Sequence, residues 1–137
     1  MKDTLNSRVK FRESFRPFTP SVLAERSSDF FELDIESPFM LLAPYVKPGM
    51  GDIVPAITHA DNTARVQTVT ADVNERYYNL IKAFDKITGV PVVLDTSFNV
   101  SDEPIVETPL DAIKCFLKTD IDVLGLDRFI LRKKNKF

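Results

Sequence analysis

A chain of 137 residues with 44% apolar content can bury its own core and is one domain on length. Its single cysteine, Cys115, excludes an internal disulfide framework, no apolar run nears the ~20 residues of a membrane span, and the mixed-charge N-terminus lacks a secretory core, so the cytoplasm is the expected compartment. The net charge of −2 hides an asymmetry: residues 1–16 carry five cations against two acids, Arg128–Phe137 carry five cations and no acid, and the segment between stands at −10, which confines any polynucleotide partner to the two ends.

In chain order, Val9–Arg16 alternates polar and apolar residues at strand period, which puts Lys10, Arg12, Ser14 and Arg16 on one face. Ser21–Phe31 is expected to be a helix capped by Thr19, with Pro20 in its first turn. Phe39–Val46 reads as a strand, and Pro55–His59 and Thr63–Thr70 as two more around the turn Ala60-Asp61-Asn62. A helix follows, with Asp72 as N-cap, Glu75 at capping-box spacing and a buried stripe of Tyr77, Leu80, Ile81, Phe84 and Ile87. Gly89 and Pro91 end it.

The short apolar run Val90–Leu94 then predicts a central strand covered on both sides. A second helix starts at Thr108-Pro109 and is expected to bury Ala112, Ile113, Phe116 and Leu117, with Cys115 as an inert core or boundary thiol. Strands around Val123–Leu126 and Phe129–Leu131 complete the chain, and Arg132–Lys136 is expected to be a frayed, solvated end. Strands mixed with two packing helices give an α/β domain bordering on α+β, with a mixed sheet.

Three groups of residues have the chemistry of an anion site. Three cations on one strand face repel each other unless an anion lies among them; the alternative is an edge strand protected by charge. Arg65 ends an apolar run and offers a planar fork of donors. Ser97 and Asn99 follow the Val90–Leu94 run, where open sheets place ligands; taken alone, such a turn also serves to satisfy its own backbone. Together these suit a phosphorylated small molecule, with Lys10, Arg65 and Ser97 converging on it. No glycine-rich phosphate fingerprint is present, since four scattered glycines cannot form one. His59, the only histidine, reads as a turn residue able to donate to Asp61, and one His with one Cys supplies half a metal shell at best.

The blocks Val9-Lys-Phe-Arg-Glu-Ser-Phe-Arg-Pro-Phe-Thr-Pro-Ser-Val-Leu23, Thr58-His-Ala-Asp-Asn-Thr-Ala-Arg-Val-Gln-Thr-Val69 and Val90-Pro-Val-Val-Leu-Asp-Thr-Ser-Phe-Asn-Val100 resemble the C-terminal domain of the O-carbamoyltransferase family, the nodulation-factor and antibiotic-tailoring type. Glu103-Pro-Ile-Val and Thr108-Pro-Leu-Asp-Ala-Ile-Lys-Cys-Phe-Leu117 extend the resemblance over nearly the whole chain. It implies that residues 1–137 are one such domain, a YrdC-like mixed twisted sheet with packing helices. It further implies an activity: ATP with Mg²⁺ and carbamoyl phosphate are converted to carbamoyl-adenylate. An N-terminal actin-like domain, in cis or trans, then transfers the carbamoyl group to an acceptor hydroxyl, and iron is expected only in that domain.

By the same resemblance, Lys10, Arg65 and Ser97 are the catalytic set. Arg16 joins them on the phosphates, Arg12 and Asn99 orient the ligand, Thr63 hydrogen-bonds it, and no metal ligand is assigned. The chain departs from the family pattern at Asp95, Ser101 and Asp102, where the family usually has Asn, Arg and Gly, and at Asn62, usually Gly. The first three remove a cation and add two acids, which leaves a catalytically reduced binding or assembly module as the alternative; an RNA-binding module through the basic ends is a third reading.

Overall fold

The computed structural model describes residues 1–133, in two compact units: Pro17–Thr96, and Met1–Arg16 together with the chain from Ser97 onward. The first unit is built on a three-stranded mixed sheet of order β2-β1-β3, with β1 at Thr19–Leu23, β2 at Gln67–Val69 and β3 at Val92–Asp95. Strand β1 runs parallel to β2, from Ser21 opposite Gln67 to Leu23 opposite Val69, and antiparallel to β3, with Pro20 opposite Leu94 and Val22 opposite Val92. The expected helix over Ser21–Phe31 is therefore a strand over its first three residues, Ser21–Leu23, and helical from there to Phe30, as a 3₁₀ turn at Ala24–Arg26 and the short α2 at Ser27–Phe30. Pro20 fits because pairing with β2 begins one residue later, so proline occupies a position with one strand neighbour.

Other expected strands change as well. Val90–Leu94 does not form a central strand; β3 lies at the sheet edge, and only its first residue, Val92, is buried. Phe39–Val46 and Pro55–His59 form no strands, and Thr63–Thr70 keeps only the three residues of β2. Met40 adopts φ 55°, which breaks extension, and the region joins the unit through single bridges, Phe31 to Val46 and Tyr45 to Thr63. Ser37 ties this region to β2: its N–H donates to Thr68 Oγ1 at 2.8 Å and its hydroxyl to the Val66 carbonyl at 2.9 Å.

Helix α3, Glu75–Thr88, lies against the sheet through Ile81, which is fully buried with Leu23 and Val69, and through Tyr77, Tyr78 and Val93 around them. The predicted stripe is thus displaced around the helix. Leu80, Phe84 and Ile87 are exposed, Ile87 at 85%, while the opposite flank is held by Asp85, which accepts from Arg26 at 3.3 Å. Hydrophobic spacing identified the helix; it did not identify the centre of its buried face. The N-cap is Asn74 and not Asp72: the Asn74 side chain accepts from the Tyr77 N–H at 3.1 Å, and Glu75 is the first helical residue. Gly89 ends the helix at φ 74°, as its position predicts.

In the second unit, a helical turn α1, Lys2–Leu5, continues into a π-helical segment over Asn6–Lys10 that ends at Phe11 with φ 50°. The predicted strand Val9–Arg16 is consequently a helix end and a loop. Helix α4, Pro109–Lys118, starts in a full capping box between Thr108 and Asp111. It packs Ala112 and Phe116 against Leu124 of the hairpin β4 (Val123–Leu126) and β5 (Phe129–Arg132), with Ile113, Leu126 and Leu131 around them. Cys115 is buried as expected, but Leu117 is exposed. The basic end is anchored as far as it is described: Arg132 is in β5, and the Lys133 ammonium donates to the Thr119 carbonyl and lies 5.2 Å from the Phe116 ring. Lys134, Asn135 and Lys136 lie outside the described residues.

Among the described residues no helix is long and apolar enough to cross a membrane. If Asn74 is the N-cap, Asn74→Ala costs about 1 kcal/mol of stability and Asp72→Ala far less; denaturant midpoints of the two variants give the comparison.

Candidate functional site

Lys10 is the last residue of the π-helical segment and only 5% exposed. Its ammonium faces four oxygens of the turn after β3: the Ser97 carbonyl at 2.7 Å, Ser97 Oγ at 3.1 Å, the Asn99 carbonyl at 2.9 Å and Asn99 Oδ1 at 2.6 Å. An ammonium has three protons, so its donors are fully committed to this turn. The turn is further locked by Ser97 Oγ donating to Asn99 Oδ1 at 2.6 Å and Asn99 Nδ2 donating to the Glu103 carbonyl at 2.8 Å. None of the oxygens that Lys10 bonds belongs to a carboxylate, so its positive charge is solvated by neutral dipoles and still acts on an approaching anion. Burial, and secondarily the Arg12 charge, hold its pKa below the ordinary lysine value.

A cavity of about 690 Å³ opens beside this turn, lined by Lys10, Arg12, Arg16, Ser97 and Asn99 among others. That volume is in the range of small-molecule sites. The Arg12 Nε–H donates to Asn6 Oδ1 at 2.8 Å. Burial first, and then neighbouring Arg16, lower the Arg12 pKa, with Glu13 opposing them. Arg16 pairs with Glu13 at 3.0 Å, but both side chains are more than half exposed, and such a pair is weak and readily opened. Ser101 and Asp102 also line the cavity. Asp102 adopts φ 63°, a left-handed conformation in which glycine is unstrained, so its carboxylate is held at the cavity by a turn that does not need it.

Five expected site residues, Lys10, Arg12, Arg16, Ser97 and Asn99, thus line one cavity of one unit. Thr63 and Arg65 belong to the Pro17–Thr96 unit. There the Thr63 hydroxyl donates to Asp61 Oδ1 at 2.7 Å and lies 3.2 Å from His59 Nδ1. The expected His59–Asp61 contact is therefore mediated by Thr63, whose hydroxyl and backbone N–H hold the Asp61 carboxyl below its usual pKa. Asn62 takes the turn at φ 61°. Arg65 is exposed between the fully buried Ala64 and Val66, which sets its side chain outward from that unit.

Asn6 has no counterpart in the sequence reading. It is completely buried, donates to the carbonyls of Ser14 at 3.2 Å and Arg16 at 2.9 Å, and accepts from Arg12. No pattern in residues 1–8 marks it, because the bonds it makes exist only once the loop has closed.

The arrangement can neutralise and orient a polyanion. Its cations and polar turn act by positioning and charge stabilisation. Among the described residues no group of three or more His, Cys, Asp or Glu side chains is placed to hold a metal ion. Lys10→Met, which removes the ammonium at near-constant volume, is expected to cost about 2 kcal/mol, read as a lowered denaturant midpoint together with faster amide exchange of Ser101, whose N–H donates to the Lys10 carbonyl at 3.1 Å.

Residues 1–133 match the family described as carbamoyltransferase C-terminus. The nodulation protein NolO of Bradyrhizobium diazoefficiens is 48% identical over 97% of this chain and 25% of its own length. The nodulation protein NolNO of Sinorhizobium fredii is 46% identical over 97% of this chain and 20% of its own length. An uncharacterised protein of Synechocystis is 45% identical over 97% of this chain and 25% of its own. The chain spans about a quarter of the length of the curated relatives it matches, or less. Over essentially its whole described length it belongs to the carbamoyltransferase C-terminal family.

Proposed function

We propose that this chain is the donor-activating part of an O-carbamoyltransferase, binding ATP with Mg²⁺ and carbamoyl phosphate and forming carbamoyl-adenylate. The observation that carries the reading is the buried Lys10 ammonium set on the Ser97–Asn99 turn, beside a cavity that Arg12 and Arg16 also line. In the proposed reaction, carbamoyl phosphate and water give carbamate and inorganic phosphate. A carbamate oxygen then bonds the α-phosphorus of ATP as the bond to pyrophosphate breaks. The protein's share is electrostatic: cations offset the charge that accumulates on the phosphoryl and pyrophosphate oxygens, and hydroxyl and amide groups hold the reacting atoms in line. Mg²⁺ enters with ATP and shields its phosphates.

In this reading Lys10 acts through its field and by shaping the turn, while Ser97 Oγ, Arg12, Arg16 and Asn99 lie closer to the ligand. For Arg65 a phosphate contact made from its own unit is proposed, with Thr63 fixing the turn before it. Transfer to the acceptor hydroxyl, and any iron, are assigned to an actin-like region working with this one in cis or in trans.

Calorimetric titration of the chain with ATP and carbamoyl phosphate is expected to give saturable heat, weakened about tenfold by Arg65→Ala. Heat unchanged by that substitution shows that Arg65 binds no phosphate. Release of pyrophosphate only when both substrates are present separates donor activation from a binding module that lacks catalysis. Asp102→Asn keeps a residue that tolerates the left-handed turn while removing a negative charge from the cavity. It is expected to tighten pyrophosphate binding by about two- to fivefold at low salt, an effect that shrinks as ionic strength rises.

A further inference from the structure

We infer that Asn6 is a positioning residue for the anion cavity: it sets the plane of the Arg12 guanidinium and closes the loop that carries Arg16. The inference rests on the phosphate reading above and adds to it a residue that does not line the cavity.

Its basis is the way one side chain is used three times. Asn6 is fully buried, and its amide nitrogen donates to the Ser14 and Arg16 carbonyls at 3.2 and 2.9 Å. Its amide oxygen accepts the Arg12 Nε–H at 2.8 Å, and its backbone carbonyl accepts the Arg12 N–H at 3.0 Å. The Nε–H bond lies in the guanidinium plane, so fixing it fixes the orientation of the whole fork. The two carbonyl contacts hold the loop that leaves the π-helical segment after Phe11, at φ 50°, and returns at Arg16. Aspartate at this position would bond Arg12 but could not donate to the carbonyls, and it would place a negative charge under the cationic loop. Leucine would fill the space and make none of the bonds. Asparagine is the side chain of this size that accepts from a cation and donates to two carbonyls while remaining neutral.

The test uses the whole 137-residue chain with inorganic pyrophosphate as the probe. Asn6→Ala is expected to weaken pyrophosphate binding about tenfold, and to weaken it less in an Arg12→Ala background, where only the bonds to the Ser14 and Arg16 carbonyls remain to be lost. Losses that multiply, or an unchanged affinity, overturn the inference. Arg12→Lys guards against an Asn6 variant that fails to fold: it keeps the charge but has no in-plane Nε–H, so it must also bind about tenfold more weakly, and wild-type affinity overturns the inference. In the unmodified chain, NMR is expected to find the Arg12 Nε–H exchanging more slowly than that of exposed Arg65, and equal rates overturn the clamp without any variant. If the unmodified chain does not bind pyrophosphate, the phosphate reading and the positioning role fall together, while a slow Nε–H still shows the Asn6–Arg12 bond to be present.

Discussion

One buried ammonium organises the chemistry of the Ser97-containing unit. A lysine removed from water destabilises a protein unless oxygens replace the lost hydration, and Lys10 obtains four from residues nearly ninety positions away. The neutrality of those four oxygens matters. A carboxylate partner would have cancelled the charge; carbonyl, hydroxyl and amide dipoles stabilise it and leave a positive centre beneath a polar turn. The contact therefore closes a long loop and charges a cavity at the same time. Burial and the second cation, Arg12, both weigh against the protonated form, so the site is destabilised in a direction that an anion would relieve.

The surrounding loop follows the same logic. Arg12 and Arg16 would separate if the chain were free, and Asn6 prevents it by bonding the loop backbone and one guanidinium together. Glu13 satisfies Arg16 from an exposed position at the cavity, a contact weak enough to give way to a ligand bearing more charge. Asp102 works in the opposite sense, adding a carboxylate at the cavity in a left-handed turn. Its backbone conformation explains why glycine is the usual residue of the family pattern there, and Asn62 at φ 61° explains the same preference in the turn before Thr63.

The chain alone determined the elements whose signals are local. Thr108, Pro109 and Asp111 specify the start of α4 by bonds within one turn, and Gly89 specifies the end of α3 by its freedom at positive φ. The β4–β5 hairpin was legible for the same reason, as were the identities of the cationic and Ser-x-Asn residues. Tertiary structure decided whatever depends on partners distant in sequence. Thr19–Leu23 has a proline that suits a helix start, yet it becomes a strand because β2 and β3 pair with it on both sides. Val9–Arg16 alternates like a strand and becomes a helix end and loop because Asn6 and the Ser97–Asn99 turn take up its polar groups. Which side of α3 is buried was settled by Leu23 and Val69 meeting Ile81. Side-chain spacing encodes what a segment can form by itself; long-range hydrogen bonds and packing select among those forms, and their energies are absent from any local window of residues.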